Sequence, residues 1–326
     1  MAGRNDRAAI VDAVVIGRNE GARLATCLGS LSGQVRRLVY VDSGSTDGSV
    51  ALAGRLGAEV VALDPALPFT AARARNAGLA ILAGEARADF VQFVDGDCEV
   101  QPGWLGAALS AMKELPEAVV VVCGRRRERA PDASIWNRLI DREWDTPVGE
   151  ALACGGDALM RLAPVLAVGG YRGDLIAGEE PELCQRLRRN GGHIWRIDAE
   201  MTLHDAAMTR LSQWWRRSRR AGHAFAEGAA LHGAGPDRHW RRERARALFW
   251  GLAVPLAALV AGLLFPPWGF ALLLLWPAQV ARLGMRWGDW PAAFFCVFGK
   301  LAEAQGILGY WFDRLRRRRR GLIEYR

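Results

Sequence analysis

Phe90 to Val100, FVQFVDGDCEV, begins as an apolar strand and then sets Asp95, Asp97 and Glu99 at every second position. Phe90, Val91, Phe93 and Val94 favour a buried strand. Carboxylates crowded at its end raise one another's pKa, and only solvent or a cation relieves the crowding. The stretch reads either as a solvated turn or as a platform for a divalent metal. If strand geometry continued through Gly96, Asp95 and Asp97 would share one face. Gly96 lets the backbone turn and a ligand come close. Hard carboxylate oxygens suit Mg²⁺ or Mn²⁺, and such an ion also neutralises a diphosphate leaving group. An EF-hand is excluded, because Val100 stands where its glycine belongs and Gly106 where its last glutamate belongs.

The pattern on either side of this stretch chooses between the two readings. Strands are expected at 10–17, 37–42, 58–63, 89–95 and 118–123, with helical spacing at 22–31, 50–56, 71–82 and 104–115. That alternation predicts a doubly wound, mostly parallel α/β sheet with right-handed crossovers. Ligands of such sheets bind beyond the carboxyl ends of the strands. Polar residues collect there: Arg18, Asn19 and Glu20 after the first strand, Asp42 to Ser45 after the second, Asp64 after the third, Asp95 to Asp97 after the fourth. The recurrence favours a site over a series of solvated turns.

The 326 residues carry a formal charge of +8, and Lys113 and Lys300 are the only lysines. The positive charge is therefore arginine, which grips phosphate bidentately. Cys27, Cys98, Cys123, Cys154, Cys184 and Cys296 show no CxxC spacing, so neither a zinc site nor a disulfide framework is indicated and a reducing compartment is expected. The first residues lack a signal-peptide core.

Beyond Arg246 the character changes. Residues 247–265 carry no charged or strongly polar side chain, and about 28 Å of helix matches the hydrocarbon thickness of a bilayer. After Pro266-Pro267 a second, shorter apolar run follows. The expectation is a catalytic domain over 1–230 and a membrane-associated helical region over 231–326. In that region 247–265 and 268–283 form a transmembrane hairpin, 291–313 an interfacial helix, and the arginine run from Arg316 to Arg320 a basic tail on anionic lipid. Tryptophans at 250, 268, 276, 287 and 290 fit an aromatic belt, and arginines on both flanks put both ends on the cytoplasmic side of the inner membrane. The bland alternative is a helical subdomain buried in protein.

Three more clusters bear on the chemistry. In GEEPELCQRLRRNG, Pro181 is read at the first helical position, with Leu183 and Leu187 buried and Glu179 and Glu180 at the helix entrance. Those acids either complement the helix dipole or include a general base for an acceptor hydroxyl. In MTLHDAAM, His204 follows a short strand and would be either structural or a third metal contact beside Asp95 and Asp97. Arg216, Arg217, Arg219 and Arg220, beside Trp214 and Trp215, read as a phosphate- or lipid-binding face or as a solvated one.

Seven motifs in order, VVIGRNEGARLATCLGSL, VDSGSTDGS, ARARNAGL, FVDGDCEVQPGWL, CGGDALMR, VGGYRGDLIAGEEPELCQRLRRNG and LHD, resemble the family 2 glycosyltransferases of the GT-A fold. The likeness runs from Val11 to about Ala224, and is to the membrane-attached bacterial type that builds surface polysaccharide or glycolipid. It implies a nucleotide-diphosphate sugar donor, Mg²⁺ or Mn²⁺, and inverting transfer to a polyprenyl-linked acceptor, with membrane lipids as partners and nucleic acid not expected. On this likeness Glu20 and Asp42 contact the nucleotide, with Arg18, Arg75 and Asp95 in the donor site. Asp95 and Asp97 are the metal-binding Asp-x-Asp pair, joined by His204. Glu180 takes the place of the catalytic aspartate, with Glu179 before it. Gly156, Asp157, Gln213 and Arg216 would serve the acceptor or its phosphate. Gln213 to Arg217 also resembles a degraded Gln-x-x-Arg-Trp motif of processive synthases, which argues against processivity. A dehalogenase-type phosphatase needs a lysine downstream of its Asp-x-Asp, and none lies between Lys113 and Lys300. A non-enzymatic alternative is a membrane-tethered scaffold that binds nucleotide-sugar without turnover.

Overall fold

Val11–Gly17 (β1) is buried along nearly its whole length, as a strand covered on both faces must be. The computed structural model describes residues 8–84 and 87–316, and these form two units. Of the described residues, the first unit comprises 8–84, 87–175 and 179–207 and the second 176–178 and 208–316.

In the first unit β1 is followed by Ala22–Leu31 (α1), Leu38–Asp42 (β2), Ser49–Arg55 (α2), Glu59–Ala62 (β3), Ala71–Leu82 (α3), Phe90–Asp95 (β4) and Cys98–Val100 (β5). Then come Trp104–Glu114 (α4), Val119–Glu128 (β6), Ile135–Glu143 (α5), Gly149–Ala151 (β7), Ala158–Arg161 (β8), Leu162–Ala167 (α6), Glu179–Arg189 (α7) and His193–His204 (β9). The strand order is β3-β2-β1-β4-β8-β6-β9-β5, with β7 on β9. The half from β3 to β4 is parallel, as expected. The other half is mixed, because β8 enters antiparallel between β4 and β6. The winding therefore does not continue in parallel past β4. Phe93, Leu28, Leu159 and Leu183 lie in the core packed around this sheet.

Three expected boundaries move. β6 runs on to Glu128, five residues beyond the apolar run, because β9 supplies a partner for its arginine-rich end. His204 ends a long strand rather than a short one. Pro181 is the third residue of α7, so Glu179 and Glu180 belong to its first turn.

The second unit holds Leu211–His232 (α8), Arg241–Leu248 (α9), Val254–Leu264 (α10), Leu275–Trp287 (α11) and Trp290–Leu315 (α12). The boundary expected at 230 falls inside α8. A π-helical segment, Phe249–Ala253, joins α9 to α10, so Arg241–Leu264 is one helix of 24 residues containing an 18-residue stretch of mean hydropathy 2.2. Trp290–Leu315, 26 residues containing an 18-residue stretch of mean hydropathy 1.2, is the second helix among the described residues long and apolar enough to cross a bilayer. The expected second span at 268–283 is instead a 3₁₀ segment, Trp268–Leu274, followed by the 13-residue α11. Thus the long apolar helix is the one expected at the interface. The basic tail lies, but for Arg316, outside the described residues.

α8 and α12 approach so closely that a Cβ on Gly222 would lie 2.0 Å from the Glu303 carbonyl oxygen, and one on Gly306 2.0 Å from that of Arg219. Trp214 fills the same seam against Phe295 and Phe298. Gly306→Val should wedge the pair apart and cost about 1–3 kcal/mol. Thermal unfolding of the detergent-purified protein would register this as a lower Tm, and an unchanged Tm would contradict the packing.

Candidate functional site

Strand register builds the centre of the site. β4 ends at Asp95, the chain turns at Gly96 and Asp97, and β5 then pairs with β9, setting Cys98 opposite His204. β6 pairs with β9 from the other side, setting Glu128 opposite His204. Asp97 Oδ2 therefore lies 3.2 Å from His204 Nε2, and Glu128 Oε2 lies 3.4 Å from its Nδ1. Glu128 is itself held by the Ala206 and Asn137 nitrogens, at 3.0 and 3.3 Å. The edge of Trp144 packs on the imidazole, with ring centroids 4.8 Å apart. Burial, and after it the charge of Arg126, lower the pKa of His204, which leaves a neutral imidazole able to act as a ligand. Neighbouring ligands of an octahedral Mg²⁺ lie about 3.0 Å apart for bonds of about 2.1 Å. The Asp97–His204 pair fits such an ion.

Asp95 points elsewhere. The turn at Gly96 breaks the strand geometry, so the two aspartates do not share a face as the sequence pattern suggested. Asp95 Oδ1 accepts from Arg75 at 2.7 Å and Oδ2 from Arg126 at 3.4 Å. Arg75 also pairs with Glu179 at 3.0 Å, so one buried guanidinium joins the end of β4 to the first turn of α7. A Cβ on Gly156 would lie 2.7 Å from Asp95 Oδ2, which explains the glycine. Asp157, expected at the acceptor, is fully buried. It accepts the Asp95 backbone N–H at 3.0 Å and the Thr202 hydroxyl at 2.8 Å, and so shapes the site from beneath.

Glu180 is buried, and its Oε1 accepts from the Cys154 backbone at 2.7 Å and from the Cys154 and Cys184 thiols at 3.0 Å each. Burial raises its pKa above the ordinary carboxylate value. Asp42 folds its own loop, accepting from Gly44 and Ser45 at 2.9 and 2.8 Å and from the Tyr40 hydroxyl at 2.9 Å. Asn19 ties the loop after β1 to this one through Thr46 and Ser45, at 2.7 and 2.8 Å. Glu20 pairs with Arg23 at 2.8 Å, and the Arg18 guanidinium lies 5.6 Å from the Phe69 ring centroid. A cleft of about 240 Å³, lined by Asp97, Arg23, Thr26, Glu99, Arg129 and Asp205, opens beside Asp97. Gln213 and Arg216 belong to the second unit. The Gln213 side chain accepts from the Thr209 and Arg210 backbones and caps α8, while Arg216 is exposed.

Residues 12–159 match the family model for glycosyl transferase family 2. This likeness covers just under half of the chain. The mannosyltransferase PcManGT of Pyrobaculum calidifontis, solved in complex with GDP-Man and Mn²⁺, shares its fold with a TM-score of 0.63 at 19% identity, over 94% of this chain and 91% of that one. Glucosyl-3-phosphoglycerate synthase of Mycobacterium tuberculosis, solved with Mn²⁺, UDP and glucosyl-3-phosphoglycerate, aligns with a TM-score of 0.48 at 20% identity over 70% of this chain and 81% of that one. A TPR repeat-containing protein of Synechococcus elongatus is 32% identical over 121 residues, 37% of this chain. The chain thus spans 28% of the length of that curated relative.

Sequence reasoning missed three side chains of this site: Arg126, Glu128 and Trp144. Arg126 reaches Asp95 and Asp157 at 3.4 and 3.5 Å and lies 4.6 Å from the Trp144 ring centroid. From the sequence, Arg125 to Glu150 read as loops without a placeable element. The signal was present, since strand alternation puts Arg126 and Glu128 on one face. Asp97→Ala should weaken Mn²⁺ binding at least about tenfold with the circular-dichroism spectrum unchanged. The paramagnetic resonance signal of free Mn²⁺ measures this, and equal retention of Mn²⁺ by the variant would detach Asp97 from the metal.

Proposed function

We propose that the chain is an inverting, metal-dependent glycosyltransferase that moves a sugar from a nucleotide-diphosphate donor to a lipid-linked acceptor at the cytoplasmic face of a bacterial inner membrane. The observation that carries this reading is the meeting of Asp97 with His204 at the carboxyl ends of the strands, beside the Arg75 bridge between Asp95 and Glu179. Asp97 and His204 would hold Mg²⁺ or Mn²⁺, which neutralises charge on the leaving diphosphate. The GDP-Man and Mn²⁺ of the Pyrobaculum enzyme are consistent with this donor class. Arg75 and Arg126 keep Asp95 oriented toward the donor, and the loops of Glu20 and Asp42 would seat the nucleotide.

Glu180 would take the proton of the acceptor hydroxyl as its oxygen attacks the anomeric carbon. The bond from that carbon to the diphosphate breaks, and the nucleoside diphosphate leaves with the electron pair. A carboxylate whose pKa burial has raised is a stronger base than a solvated one. Glu179, paired with Arg75, holds α7 against the donor site.

The lipid-linked acceptor and a role in surface polysaccharide or glycolipid synthesis are inferred from the second unit. Along Val254–Leu264 and the segment after it, Leu259, Leu263, Leu264, Phe265 and Trp268 are exposed, the last by 82%. An exposed apolar surface of this kind suits contact with a membrane.

Nucleoside-diphosphate release from UDP-, GDP- and dTDP-sugars by the detergent-purified protein tests the proposal, with Mg²⁺, Mn²⁺ or EDTA and with a polyprenyl-linked acceptor extract. Release that needs metal and one donor supports it; tight donor binding without turnover would favour the scaffold. Glu180→Gln should lower kcat by about 10²- to 10⁴-fold with donor affinity kept. In the wild type kcat should rise with pH through the raised Glu180 pKa, because only the ionised carboxylate accepts a proton. Loss of kcat in Glu179→Gln, with Glu180→Gln active, would reassign the base.

A further inference from the structure

Three acidic side chains meet in the first unit away from the Asp97–His204 pair. Cys154 lies in the loop before β8, and Glu180 and Cys184 stand one helical turn apart on α7. The two sulfurs are 3.7 Å apart, and Glu180 Oε1 is 3.0 Å from each. We propose that Cys154, Glu180 and Cys184 form a soft-metal site that takes Zn²⁺, with water or the second carboxylate oxygen completing a tetrahedron.

Geometry carries the assignment. Two thiolates on one tetrahedral zinc, with Zn–S bonds of about 2.3 Å, lie about 3.8 Å apart. The observed sulfur separation matches this edge. The carboxylate oxygen is closer than the roughly 3.5 Å expected once bound, and a small rotation of the Glu180 side chain takes up the difference. The trio is anchored rather than fortuitous, since the Cys154 N–H also donates to Glu180 Oε1 at 2.7 Å. Burial holds the Cys154 thiol well above its ordinary pKa. The hydrogen bond with Cys154 lowers that of Cys184, but burial and the charge of Glu180 outweigh it and push it up to about 11. A bound divalent cation stabilises the two thiolates against burial, and both thiol protons pass to solvent as it binds. Mg²⁺ and Mn²⁺ prefer oxygen ligands, so this site and the Asp97–His204 pair select different metals.

Cobalt(II) added to the full-length protein in detergent, under a phosphine reductant, tests the site. Two thiolates on tetrahedral cobalt give thiolate-to-metal charge transfer and intense visible bands, saturating near about one equivalent and displaced by Zn²⁺. Cys184→Ser should abolish the charge transfer of the second thiolate and weaken Zn²⁺ affinity roughly 100-fold or more, since even outer-sphere changes cost 10- to 100-fold. Cys296→Ser, in the second unit, and Asp97→Ala should keep the spectrum. A wild-type spectrum without charge transfer overturns the proposal, and so does charge transfer that survives Cys154→Ser/Cys184→Ser. Zinc should also block transfer in the presence of excess Mg²⁺ by occupying Glu180. That consequence rests on the proposed role of Glu180, whereas the cobalt spectrum does not.

Discussion

The buried guanidinium of Arg75 is the interaction on which the site depends. It bonds Asp95 at the end of β4 and Glu179 at the start of α7, and it lies 5.4 Å from the Tyr171 ring centroid. Burial opposes its charge, and the fields of Asp95 and Glu179 more than restore it. Removing one partner of such a pair leaves an uncompensated buried charge, at about 3–5 kcal/mol. Three segments distant in sequence are thereby held in one register: the N-terminal half of α3, the Asp-x-Asp turn and the Glu-Glu turn of α7.

Around that bridge the acids are sorted by their partners. Asp95 is balanced by two arginines, Asp157 is spent on the backbone, Thr202 and Arg126, and Glu128 is spent on His204, Ala206 and Asn137. Asp97 faces a histidine whose burial keeps it neutral, so a cation there meets a carboxylate and a lone pair. Glu180 meets thiols. Neighbouring carboxylates thus acquire separate duties from their surroundings, the arrangement by which acid and base roles are divided in one site. The mixed half of the sheet makes this possible: with β8 antiparallel between β4 and β6, the ends of β5, β6 and β9 converge beyond β4.

The second unit is built differently. Its helices pack through glycine contacts and an aromatic seam, while the apolar face of Val254–Leu264 stays uncovered within the unit. Small residues let helix backbones approach closely where apolar burial supplies no drive. Two helices of this unit have the length and composition to cross a bilayer.

The sequence by itself determined the parallel half of the sheet, since period-two apolar runs and helical spacing are local properties of the chain. The helix at 71–82 and the strands ending at Asp42 and Asp95 were readable to within a residue. It also presented the ordered family motifs, because each keeps its functional residues close together. Only the tertiary structure decided which of those residues meet. That Asp95 turns to Arg75 while Asp97 turns to His204, that an arginine run becomes the end of β6, and that Cys154 joins Cys184 across 30 positions without any metal-site spacing all depend on strand pairing between distant segments. The second apolar run divides in the same way: its composition was readable, but its break into a 3₁₀ segment and a short helix was not. Composition is written residue by residue, whereas register and proximity are properties of the folded chain.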